Sequence, residues 1–130
     1  MKFLLDTNAI IALLKGNERL HSRLRRHQPQ DFVISAIVAH ELFYGAYKSQ
    51  RAVQNVGLVE SLQFPALEFD LDDARYAGEL RAKLSRAGSP IGPYDVLVAG
   101  QALARSLTLI TRNVREFQRV EGLSVENWED

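Results

Sequence analysis

The chain has no cysteine, which excludes disulfides and thiolate metal sites and fits a cytoplasmic protein. It has no surplus of either charge, with 16 Lys and Arg against 16 Asp and Glu in 130 residues. Composition therefore signals no polyanionic partner. Such a partner would have to be held by a local basic patch or through metal ions. No apolar run approaches the length of a membrane span, so no membrane association is expected. Residues 2–14 come nearest to a secretion signal. Asp6 and Asn8 break their apolar region, and no small-residue cleavage site follows. Repeats, low-complexity segments and linkers are also missing, so residues 1–130 are expected to form one domain.

What is present is a regular alternation. Phe3-Leu4-Leu5 is a short apolar run that ends at Asp6, as a buried parallel strand would. Further strands are expected at Phe32–Ser35, Pro65–Phe69, Leu107–Thr111 and Ser124–Trp128. Between them helices are expected over 9–14, 19–27, 36–48, 50–62 and 70–86, with another opening near Pro93 and a short turn at Phe117. Leu20 and Leu24 anchor the second helix, and Val53, Val56 and Leu62 the fourth. Strands alternating with helices from end to end predict an α/β domain with a mainly parallel sheet.

Three acids stand out against this frame. Asp6 follows the first strand, where open α/β sheets bind their ligands. It is also placed to cap the following helix. Glu41 shares a helical stripe with Ile37, Tyr44 and Gly45, and Asp95 shares one with Val98, Ala99 and Ala102. Each also has an ordinary reading, Glu41 as a surface residue and Asp95 as a first-turn acid suited to the helix dipole. Carboxylates are rarely buried without a partner, and no Lys or Arg follows a matching inward stripe. Gathered at one sheet edge, the three would form a hard oxygen site for Mg²⁺ or Mn²⁺, suited to phosphodiester hydrolysis.

Leu4-Leu5-Asp6-Thr7-Asn8, the 35–45 segment with Glu41-Leu42 and Tyr44-Gly45, and Ile91-Gly92-Pro93-Tyr94-Asp95 resemble the PIN-domain ribonucleases. They are most similar to the VapC toxins of toxin–antitoxin pairs, as are Thr111 to Phe117 and Val125-Glu126-Asn127-Trp128. The resemblance spans essentially the whole chain. It implies a PIN-like three-layer α/β/α sandwich and a Mg²⁺- or Mn²⁺-dependent endoribonuclease with Asp6, Glu41 and Asp95 as its metal-binding acids. It also implies a VapB-type antitoxin and a homodimer. Likeness of residues 89–95 and 111–128 to the initiator-tRNA-cleaving branch points to tRNA as substrate. One departure stands at Asn113, where many members carry a fourth acid; Glu116, three residues on, is a second candidate for that role.

Other readings compete. A haloacid-dehalogenase-like phosphatase needs a second Asp at position 8, which is Asn. A receiver domain needs paired acids before its phosphoacceptor and a late lysine. A binding module that has lost turnover has no reason to keep all three acids. The basic 19–27 segment is either a solvated helix face or a phosphate-contacting rail, its Arg23 and Arg26 pointing outward. His40, Tyr44, Tyr47 and Trp128 are read as structural, core or interface residues.

Overall fold

The computed structural model describes residues 1–130. Five strands form one sheet: β1 (Phe3–Leu5), β2 (Phe32–Ser35), β3 (Ala66–Leu67), β4 (Thr108–Ile110) and β5 (Val125–Glu126). Their order is β3-β2-β1-β4-β5 and every pairing is parallel. The helices are α1 (Thr7–Leu14), α2 (Glu18–Leu24), α3 (Ala36–Lys48), α4 (Ala52–Glu60), α5 (Leu71–Arg86), α6 (Pro93–Ala104) and α7 (Val114–Phe117). The chain moves outward from β1 through β2 to β3, then crosses back to β4 on the other side of β1. With right-handed crossovers, α1 to α4 cover one face and α5 to α7 the other. The result is the expected α/β/α sandwich.

Strand β1 is buried at every residue, flanked by β2 and β4, and so has no solvated face to alternate toward. Strand order reverses between β1 and β4. A crevice therefore opens beyond their carboxyl ends. No helix is long and apolar enough to cross a membrane.

Several elements differ from expectation, each for a local reason. Helix α1 begins at Thr7 rather than Ala9, because Asp6 both ends the strand and caps the helix through the Ala9 N–H (2.8 Å). Helix α4 begins at Ala52 and reaches the core through Val59, with Leu62 just beyond it, which leaves Val53 in its first turn 92% exposed. Strands β3 and β5 keep only two residues each, enough to pair Ala66-Leu67 with Ile34-Ser35 and Val125-Glu126 with Leu109-Ile110. Trp128 lies beyond β5, buried among the rings of Phe3, Phe32 and His27. Tyr44 and Tyr47 are exposed, not core.

Arg23 is not free to track a backbone. Its guanidinium covers the Trp128 ring at 4.9 Å and pairs with Glu126 at 3.2 Å. It fastens α2 to the last strand, leaving Arg19 and Arg25 beside an open surface.

Candidate active site

Asp6 sits at the crevice, only 6% exposed. Its backbone N–H still belongs to the sheet, donating to Ile110 O beside the end of β4. Burial pushes its carboxyl up from 3.8 to about 6, against hydrogen bonds from the Thr111 hydroxyl and the Ala9 N–H; Asp95 and Glu129 raise it further. Thr111 is fully buried at the end of β4, and its Oγ1 also accepts the Asn113 N–H (3.0 Å). One hydroxyl thus joins the ends of the two central strands.

Ser35 ends β2 and caps α3 through the Ile37 N–H (3.0 Å). The buried stripe of that helix is Val38, Leu42 and Ala46. Glu41 lies on its flank, half-buried, and accepts a hydrogen bond from Thr7 Oγ1 (2.9 Å). Asp6 and Glu41 are therefore linked through a side chain that adjoins Asp6 in sequence.

Asp95 is in the first turn of α6, after Pro93 at the start of the helix. Gly92 leaves room for it. A Cβ there would stand 3.0 Å from Asp95 Oδ2. Burial pushes Asp95 up to about 6, and the charges of Glu116 and Glu41 add to the rise. Glu116 is held from two sides, by the Gly92 N–H (2.9 Å) and by Asn113 Nδ2. A carboxylate is acceptor-only, so Asn113 must turn its NH₂ toward Glu116. The amide supports the acid rather than replacing it.

The structure therefore gathers all five residues singled out in the sequence: Asp6, Glu41, Asp95, Asn113 and Glu116. Asp95 is the hub, acting on Asp6 and acted on by Glu41 and Glu116. None of the four acids has a Lys or Arg within ion-pair distance. No group of three His, Asp or Glu side chains forms a ready-made metal cage. The donor set, hard oxygens with no internal cation, nonetheless fits Mg²⁺ or Mn²⁺, which need only one or two carboxylates beside water and phosphate. Sequence reasoning missed Thr7, Thr111 and Gly92 as supports, and missed Glu129 altogether.

A parallel sheet with acids gathered at its carboxyl edge is how a PIN domain is built, and the family model for the PIN domain matches residues 3–123. The tRNA(fMet)-specific endonuclease VapC of Salmonella typhimurium is 39% identical, with 98% of each chain covered. The crystal structure of DNA-bound VapBC from Salmonella typhimurium superposes with a TM-score of 0.93 at 39% identity, covering 98% of both chains. VapBC2 from Rickettsia felis, bound to a promoter DNA fragment, gives 0.91 at 34% identity over 98% of this chain and 99% of that one. The chain belongs to the PIN-domain family, among its VapC ribonucleases.

Proposed function

We propose that this chain is the toxin of a toxin–antitoxin pair, a Mg²⁺- or Mn²⁺-dependent endoribonuclease that hydrolyses tRNA, with Asp6, Glu41 and Asp95 as its metal-binding acids. The observation that carries the reading is that Asp6, Glu41, Asp95 and Glu116 meet beyond the carboxyl ends of the central strands with no Lys or Arg in ion-pair reach of any of them. Asp6 and Asp95 are both raised to about 6 by burial and shared negative charge, with no internal cation to relieve them. A divalent ion would supply that relief, a Lewis acid for the phosphoryl oxygens and an activated water. The chain's own groups provide the alignment. Asp6 is fixed by the Ala9 and Thr111 hydrogen bonds, Glu41 by Thr7, and Glu116 by Gly92 and Asn113. Glu116 is the fourth acid in this reading and Asn113 its positioning residue.

The relative named a tRNA(fMet)-specific endonuclease supports tRNA as substrate, and the VapBC neighbours support a VapB-type antitoxin. A groove of about 410 Å³ between α1, α3 and α4 offers that antitoxin an apolar bed. It is lined by Ile11, Leu14, Leu42, Leu58 and Val59, with Glu41 among its lining residues. A homodimer completes the proposal, and the exposed Tyr44, Tyr47 and Val53 supply surface for it.

The test is incubation of the purified chain with total tRNA in Mg²⁺, in Mn²⁺ and in chelator, with mapping of the new ends. Cutting should require the ion and vanish in Asp6→Asn. Cutting that persists in chelator or in Asp6→Asn overturns the reading.

A further inference from the structure

Beside the acids lies a second, different pocket. It is about 530 Å³ and runs between the end of α1, the start of α2 and the loop after β4. Asn8, Lys15, Asn17, Arg112 and Glu129 supply its polar walls. The side chains of Lys15 and Arg112 make no ion pair and no hydrogen bond within the chain, nor does that of Asn8. Asn17 uses its Oδ1 to cap α2, accepting from the Leu20 N–H at 2.9 Å, which leaves its NH₂ unspent. Two cations and two amide donors thus face one cavity, and none of them is paired with the single carboxylate that shares it.

The opposite wall is Glu129. Its Oε2 is shut away from water with no hydrogen-bond partner. An Asx turn, Glu129 N–H to Asn127 Oδ1 (2.9 Å), sets its backbone, and buried Trp128 anchors the segment. The pocket adjoins the acidic crevice through the chain itself, because Asn8 stands two residues after Asp6 and Arg112 lies between Thr111 and Asn113.

We infer that this pocket is a backbone subsite for the RNA strand, in which Lys15 and Arg112, helped by the amides of Asn8 and Asn17, hold a phosphate and ribose next to the scissile phosphate. The inference rests on the ribonuclease reading above. A neutral protein with an acidic crevice repels its substrate at the centre, so cationic contacts have to flank it. Arg23, committed to Trp128 and Glu126, cannot serve, whereas Lys15 and Arg112 can. Glu129 limits how tightly the strand is held, because it sets a negative charge in the same cavity.

Binding is read by fluorescence anisotropy of a labelled tRNA transcript with chelator present, so that nothing is cut. Cleavage of the same transcript is measured separately in Mg²⁺. Lys15→Ala with Arg112→Ala should weaken binding by about tenfold or more. The dependence of log affinity on log salt should flatten by roughly 0.7 to 0.9 units, for the one phosphate no longer neutralised. In the cleavage assay the loss should fall on KM with the cut position unchanged. Lys15→Arg with Arg112→Lys should keep the wild-type slope, and Glu129→Gln should bind more tightly than wild type. Unchanged affinity and slope in the double alanine variant overturn the subsite, even if the wild type cuts tRNA. If the wild type cuts nothing but the double variant loses the salt slope, the subsite stands and the activity reading falls.

Discussion

At the scale of single residues the governing fact is that Asp6 is a buried acid asked to be charged. A carboxyl whose pKa folding raises binds its proton more tightly in the native state. Its contribution to stability is therefore fully present below 3.8 and is lost as pH climbs through about 6. At pH 7 without metal, ionised Asp6 costs on the order of 2–3 kcal/mol. Asn can take over the cap at this position. In chelator, Asp6→Asn should therefore melt higher than wild type at pH 7 and alike near pH 4, as read by thermal scans across pH. Added Mg²⁺ should raise the wild-type melting temperature and narrow the gap. A gap that does not depend on pH would mean that Asp6 is not strained by its charge. The pair Asn113 and Glu116 gives a second expectation. If the amide acts only through the acid it holds, Asn113→Ala adds little to Glu116→Gln, and a double-mutant cycle on kcat should be strongly non-additive.

Among the elements, two glycines set the position of α6. A Cβ on Gly100 would stand 2.5 Å from the Ala77 Cα of α5, so these helices pack backbone to backbone. Gly100→Ala must push them apart, at a cost of about 1–3 kcal/mol or more, visible in urea unfolding. Gly92→Ala meets only the end of the Asp95 side chain, which can move. It should leave the melting temperature nearly unchanged while lowering kcat, because Asp95 is displaced by a few tenths of an ångström. These contrasts also mark what could be read beforehand. Strands β1, β2 and β4 were legible because each is a buried apolar run with a polar stop. The carboxylates followed from them, since Asp6 ends a strand and Asp95 shares the face of buried Val98, Ala99 and Ala102. The edge strands β3 and β5 were overextended because pairing ends where the neighbouring strand does, which no local pattern reports. Val53 was placed inward for a similar reason. It keeps helical spacing with Val56, but nothing covers it in the first turn of α4. Glu129 was invisible because its place depends on Trp128, which is seated against rings near the other end of the chain.

For the molecule as a whole, Trp128 ties the last residues to the first. It stacks on His27 at 5.4 Å, meets Phe3 edge-on at 4.8 Å and lies under Arg23. Trp128→Ala should cost about 3–5 kcal/mol in chemical unfolding, as removal of a large buried ring does. The central place of β1 bears on the order of events in the cell. The strand made first lies between a neighbour that soon follows it and one that begins at Thr108. When residue 100 has just been joined, Asp6, Glu41 and part of α6 have been made, but not β4, Thr111 or Glu116. The crevice cannot close before β4 and Glu116 are made, and pairing strands so far apart in sequence slows folding. A chain still short of β4 therefore lacks the full set of acids. The single tryptophan, two residues beyond β5, reports the moment at which the crevice is complete.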